Sequence, residues 1–152
     1  MSALATPVPD LVPLFRFDPD PAVESAFRAA FDGVLASHRY ILGEQVTAFE
    51  AAFARYCGVP ECVGVANGTD ALVMVLMAIG AGRGDAVFCP SFTFCATASP
   101  VARTGATPLL VDVDEATFNM TAESLARGIA TAKRLGLKPR AVIPVDLFGQ
   151  SA

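Results

Sequence analysis

Along the first third of the chain, apolar residues recur at helical spacing; beyond it they gather in short β-branched runs separated by helical stretches. From Pro21 to about Ala36, Val23, Phe27, Ala30, Phe31 and Val34 fall on one helical face, and Asp20 ahead of Pro21 supplies a cap. Tyr40-Ile41-Leu42-Gly43 interrupts this pattern. A second helix is predicted from about Glu44 to Tyr56, with Val46, Phe49, Phe53 and Tyr56 facing one way and Gly58 ending it. Ahead of both, residues 1–20 carry Pro7, Pro9, Pro13 and Pro19, which remove backbone donors and predict an extended arm. After Gly58 the pattern predicts strands at Cys62 to Ala66, Ala86 to Cys89, Pro108 to Val113 and Ala141 to Val145. Helices are predicted between them at about Thr69 to Ile79, Phe94 to Thr104 and Ala122 to Leu135, the last capped by Thr121. Such alternation is that of right-handed βαβ crossovers, so the expected class is α/β with a mostly parallel sheet and flanking helices.

Composition sharpens this picture. Of 152 residues, 53% are hydrophobic and the mean hydropathy is +0.50, which fits strands buried on both faces rather than one. The net charge is -4 and no basic run is present, so nucleic acid is not an expected partner. No apolar stretch reaches the roughly 18 residues needed to span a bilayer. The opening MSALATPVPD lacks the features of a secretory signal, so a cytoplasmic location is expected. Cys57, Cys62, Cys89 and Cys95 have no Cys-x-x-Cys spacing, and the only histidine, His38, lies far from them in sequence. Zinc is therefore not expected, and the cysteines are expected to be small buried hydrophobes.

In an open parallel sheet, ligands bind beyond the carboxyl ends of the strands, which directs attention to the turns leaving each strand. Asn67-Gly68-Thr69-Asp70 lies between a predicted strand and a helix. Gly68 would let a ligand approach the backbone, Thr69 offers a hydroxyl, and the helix start favours an anion. The same residues also suit an ordinary helix cap at Asn67 or Thr69. Neither G-x-G-x-x-G nor G-x-x-x-x-G-K-[ST] is present, which disfavours a dinucleotide or triphosphate site. In the next turn, Phe92 and Phe94 could stack on a flat heterocycle, although composition alone places such rings in the core. Asp112 and Asp114 alternate along a strand end and would point to opposite faces, so they are expected to solvate and cap the loop rather than bind a metal.

Taken together, FEAAFARYCGV, VANGTDALVMVLMAIGAGRGDAVFCPSFTFCATA, GATPLLVDVDEATFNM and AVIPVDLFGQ resemble successive blocks of the DegT/DnrJ/EryC1/StrS aminotransferases, from about Val12 onward. The resemblance implies the N-terminal part of the large domain of an aspartate-aminotransferase-like (type I) fold, with residues 21–152 binding pyridoxal 5'-phosphate. It implies that Thr69 and Asp70 meet the cofactor phosphate by hydroxyl and backbone amide, with Gly68 clearing space, and that Phe94 stacks on the pyridine ring. Phe92 is still expected to pack. Tyr40, in a loop like one that approaches the partner's active site in family dimers, is a substrate-side candidate, whereas His38 is expected to be an exposed helix end. Asp146 stands where relatives often carry histidine and Ser99 where they often carry asparagine, so neither is assigned a role.

Transamination needs a lysine to form a Schiff base with the cofactor and a carboxylate to keep the pyridine nitrogen protonated. By resemblance, both would follow the matched blocks. Lys133 and Lys138, in the polar stretch TAKRLGLKPR, are not expected to serve, and no catalytic residue is assigned in this chain. The implied activity of the complete protein is transfer of an amino group, with glutamate the expected donor, to a nucleotide-linked keto sugar in polysaccharide or secondary-metabolite biosynthesis. A homodimer is implied, and the fragment alone is expected to be inactive and, with an open sheet edge, aggregation-prone. Two other readings stay open: a non-catalytic partner or binding subunit of a full-length paralogue, and a doubly wound nucleotide-binding domain.

Overall fold

A computed structural model describes residues 18–152, in two compact units that divide after Gly64. The expected arm, up to residue 17, lies outside the described residues.

Among its described residues the first unit holds two helices. α1 spans Pro21–Ser37: the Asp20 carboxylate accepts from the Ala22 amide at 2.7 Å and Pro21 fills a position whose amide would have no helical partner. His38 closes it in the left-handed region, φ 54°, its amide donating to the Leu35 carbonyl. α2, Glu44–Cys57, ends at Gly58 with φ 68°, as predicted from that glycine. Within the unit the Gly64 amide donates to Glu50 Oε1 at 2.6 Å.

The second unit is the α/β layer structure. Its elements are α3 (Gly68–Ala78), β1 (Asp85–Pro90), α4 (Ser99–Arg103), β2 (Thr107–Val111), α5 (Ala122–Arg134) and β3 (Lys138–Val142). The strands pair in the order β2-β1-β3, both pairs parallel, with Phe88 opposite Leu109 on one side and Val142 on the other. β1 is central and every one of its residues is buried, as a strand covered on both faces requires. Its alternation sorts the core into two layers. Val87 and Cys89 pack with Leu76, Ala81, Val101 and Ala106 on the side of α3 and α4. Ala86 and Phe88 pack with Val111 and with Ala132, Leu125 and Ile129 of α5 on the other. α5 comes close because Gly128 faces the sheet: a Cβ there would lie 3.1 Å from Val111 Cγ2 and 3.3 Å from Phe88 Cδ1. Its start is held by a reciprocal cap between Thr121 and Ser124, and Ser124 Oγ also donates to the Asp112 carbonyl at 2.7 Å, tying the helix to the end of β2.

Three expectations need correction. Residues 62–66 are not a strand: no other segment among the described residues pairs with them, and a strand exists through its ladder, whatever the propensity of Val63 and Val65. The helix expected over 94–104 is a 3-10 turn, Cys95–Thr97, followed by the short α4. Pro100 is the cause, since it cannot donate to the preceding turn and fits only where a helix begins. β3 starts and ends three residues earlier than the apolar run Ala141 to Val145 suggested. Pro144 has no amide to continue the ladder, while β1 already pairs at Lys138. The β1–β3 register slips after Ala86, leaving Arg140 as the extra residue of a bulge. Among the described residues no helix is long and apolar enough to cross a membrane.

Candidate functional site

Because the three strands are parallel, their carboxyl ends lie together. The Ser91 amide donates to the Val111 carbonyl at 2.8 Å, and the Ile143 amide to the Phe88 carbonyl at 2.9 Å, so the turns after β1, β2 and β3 begin side by side. Three aromatic rings bridge these turns. Phe118 lies 5.3 Å from Phe92 and 5.8 Å from Phe148, centroid to centroid, the second pair edge to face. Phe92 thus has packing partners, as expected, although it remains half exposed. Phe118 and Phe148 were not singled out from the sequence, because their association depends on the sheet.

Phe94 behaves differently. It precedes the 3-10 turn Cys95–Thr97 with extended backbone, and the residue is 74% exposed. Thr93 Oγ1 and Thr97 Oγ1 sit 2.9 Å apart across that turn, and the turn packs against α3. Phe94 therefore presents an open ring face on a segment fastened to the core.

The start of α3 carries the donors that an anion site would use. Asn67 Oδ1 accepts from the Asp70 amide at 2.9 Å, so Asn67 is the cap. The cap and the anion site do not exclude each other: the amides of Gly68 and Thr69 and the Thr69 hydroxyl have no acceptor among the described residues. A Cβ at Gly68 would meet nothing within 4 Å, so the approach to these donors is open. The Asp70 amide is already committed to Asn67, leaving its neighbours as the free donors. The Asp70 carboxylate takes Asn67 Nδ2 at 3.1 Å on one oxygen and Arg103 Nη1 at 3.2 Å on the other. Arg103, 33 residues away at the end of α4, carries no local sequence signal that would have marked it.

The donor set fits a phosphate ester carrying a flat ring: free amides and a hydroxyl at the positive end of a helix, and an exposed aromatic face on the adjoining turn. It provides no Schiff-base amine. Lys138 stands opposite Asp85 at the amino end of the sheet, roughly 17 Å from the other end of β1 at about 3.3 Å per residue. Lys133 is in the last turn of α5, which leads into that same end. Asp114 has folded back onto its own loop, its Oδ1 accepting from the amides of Ala116 and Thr117 and from the Thr117 hydroxyl. The Thr117 amide above all holds this carboxyl below the ordinary carboxylate value. Asp112 Oδ1 accepts from the Val113 amide, and Asp146 Oδ1 from the Ala152 amide at 2.8 Å. Among the described residues no cluster of metal-ligating side chains exists, and the first two aspartates cap the loop as expected.

The cysteines do not form a buried set. Cys89 is buried and Cys62 half-buried, but Cys57 and Cys95 are exposed, since the first ends an open helix and the second begins the 3-10 turn. In the first unit, Tyr40 is 62% exposed, its hydroxyl 3.2 Å from His38 Nδ1, and His38 is an exposed helix end as expected. An open groove of about 670 Å³ along α1, lined by Phe27 and Phe31, offers Arg28 as the one cation among its lining residues, and Glu24 already pairs with it at 2.7 Å.

Known proteins share this fold and much of this sequence. Over 130 residues the chain is 42% identical to the UDP-2-acetamido-2-deoxy-3-oxo-D-glucuronate aminotransferase of Pseudomonas aeruginosa, covering 86% of this chain and 34% of that protein. A DegT DnrJ EryC1 StrS aminotransferase from Brucella abortus superposes with a TM-score of 0.81 at 51% identity, over 86% of this chain and 35% of its own. A protein of Streptococcus pneumoniae, solved in its PLP form, superposes with a TM-score of 0.71 at 29% identity, over 82% and 31%. The chain spans about a third of the length of these relatives. The aminotransferase fold they share, and the missing glycine fingerprint, both go against a dinucleotide-binding domain. Residues 21–152 match the family model throughout, and the chain belongs to the DegT/DnrJ/EryC1/StrS aminotransferase family.

Proposed function

We propose that the complete protein is a pyridoxal-phosphate-dependent aminotransferase acting on a nucleotide-linked keto sugar, with an amino acid, glutamate the expected choice, as donor. The observation that carries this reading is the pair of amides at Gly68 and Thr69, without an acceptor among the described residues, at the start of the helix against which the turn after Phe94 packs, in a chain of this family. Gly68 and Thr69 hold the phosphate, with Asp70 closing the first turn behind them, and Phe94 fixes the plane of the ring. Bound there, the cofactor supplies an electron sink for exchanging an amino group between amino acid and keto sugar. The chain's own contribution is binding and orientation; the Schiff-base lysine and the carboxylate for the pyridine nitrogen belong to the downstream part of the protein. Tyr40 reaches the substrate side of a partner's site in a homodimer, and the enzyme works in the cytoplasm.

The test uses the complete gene product. Titration with pyridoxal phosphate, followed by absorbance and by fluorescence quenching, is expected to show saturable binding. Phe94→Ala weakens it roughly tenfold, in keeping with about 1.4 kcal/mol for a stacked ring. Because that ring is exposed, the melting temperature stays close to that of the unaltered protein. A protein that never takes up the cofactor, or a Phe94→Ala variant that binds it unchanged, overturns the reading.

A further inference from the structure

We propose that Arg103 is a positioning residue for the anion site: by pairing with Asp70 it cancels a negative charge at the start of α3 and leaves the helix's positive end to the cofactor phosphate. This rests on the phosphate reading above.

An acid in the first turn of a helix interacts favourably with the helix dipole, and for that reason it competes with any external anion seeking the same amides. Asp70 is such an acid, next in sequence to the free amides of Gly68 and Thr69. A doubly charged phosphate ester would meet a carboxylate within the same helical turn. The structure answers this on both carboxylate oxygens, with Asn67 Nδ2 at 3.1 Å and Arg103 Nη1 at 3.2 Å. Only Arg103 brings a compensating charge. Its side chain is 57% exposed and that of Asp70 38%, so the pair adds little to stability, as exposed ion pairs generally do. A contact of small structural worth, spanning 33 residues and placed beside the donors, acts through its charge. It also couples the two halves of the site. α4, which carries Arg103, follows directly on the Phe94 turn, and the guanidinium reaches from there to the start of α3.

Two substitutions and their combination test this in the complete protein, with pyridoxal phosphate affinity measured by fluorescence quenching and folding checked by thermal melting. Arg103→Ala is expected to weaken binding roughly fivefold, since it leaves Asp70 as a bare anion beside the phosphate. Adding Asp70→Asn removes that charge while keeping a hydrogen-bonding side chain, and the double variant is expected to return to the affinity of Asp70→Asn alone. Loss in Arg103→Ala that Asp70→Asn does not repair would overturn the proposal, because the guanidinium would then be acting on the phosphate directly or merely supporting the fold. Unchanged binding in Arg103→Ala would overturn it as well. An unaltered protein that binds no cofactor fails at the earlier step, the phosphate reading itself.

Discussion

Arg140 Nε lies 3.1 Å from Asp85 Oδ2, joining the starts of β1 and β3, and Arg140 Nη2 donates to the Gly80 carbonyl at the same distance. The bulge in β3 makes this possible, since Arg140 is the residue left without a partner in the β1 register. The Gly82 amide donates to the same carboxylate oxygen, so one acidic side chain gathers the turn after α3 and both strand starts.

The Gly82 amide, opposed by partial burial and then helped by Arg140, holds the Asp85 carboxyl below its ordinary value of 3.8. A depressed carboxylate contributes stability that is complete above the unfolded value and lost as pH falls through the folded one. The melting temperature should therefore decline below pH 3.8, and Asp85→Asn should flatten part of that decline while lowering the melting temperature by a few degrees near neutrality. Melting curves of both proteins between about pH 5 and pH 2 check this. Parallel curves would show that Asp85 does not carry the effect, whatever Asp114 adds.

Gly128 tests how tightly α5 sits on the sheet. Replacing a helical glycine by alanine ordinarily gains up to about 1 kcal/mol in helix propensity. Here the new Cβ would press on Val111 and Phe88, which are 2% and 1% exposed and have no room to yield. Gly128→Ala is expected to be net destabilising by about 1 kcal/mol, and Gly128→Val by about 3 kcal/mol. Denaturant unfolding measures both; a stabilised alanine variant would mean that the helix can lift away from the sheet.

Two helix caps should separate structure from function. Thr121 caps α5, which packs on the sheet face opposite α3 and α4, and Thr121→Ala is expected to cost about 1 kcal/mol of stability with cofactor affinity unchanged. Asn67→Ala should cost a similar amount and, on the function proposed above, also weaken cofactor binding, because its cap holds the turn whose amides would face the phosphate. Equal effects of the two on binding would show that the start of α3 has no special part in it.

Burial pushes the Cys89 thiol up to about 11, whereas Cys57 and Cys95 are exposed. A thiol reagent at neutral pH is expected to label Cys57 and Cys95 promptly and Cys89 only as the protein unfolds. Mass mapping of the labelled peptides decides it, and early labelling of Cys89 would indicate that β1 opens far more readily than its burial suggests.

The site was legible in part. Gly68, Thr69, Asp70 and Phe94 could be named as candidates because each stands in a strand-to-helix turn or at the head of a helix, a position that local sequence marks. The Asp70–Arg103 pair and the Phe92, Phe118 and Phe148 cluster could not. Their members lie far apart along the chain and meet only when β1, β2 and β3 align in parallel with this register.

Helices were settled largely by the chain itself. Asp20 with Pro21, Gly58 and Thr121 are local signals acting on hydrogen bonds that span three or four residues, so α1, α2 and α5 begin and end close to where the pattern predicts. Family membership was equally legible, since several blocks in order carry it. What only the tertiary structure decided were the features that need a distant partner: that 62–66 forms no ladder, that β3 begins at Lys138, that Arg140 bulges toward Asp85, and that Arg103 answers Asp70. A helix satisfies its backbone from within, whereas a strand or a cross-chain ion pair exists only if another segment arrives at the right height, and a linear pattern does not encode that height.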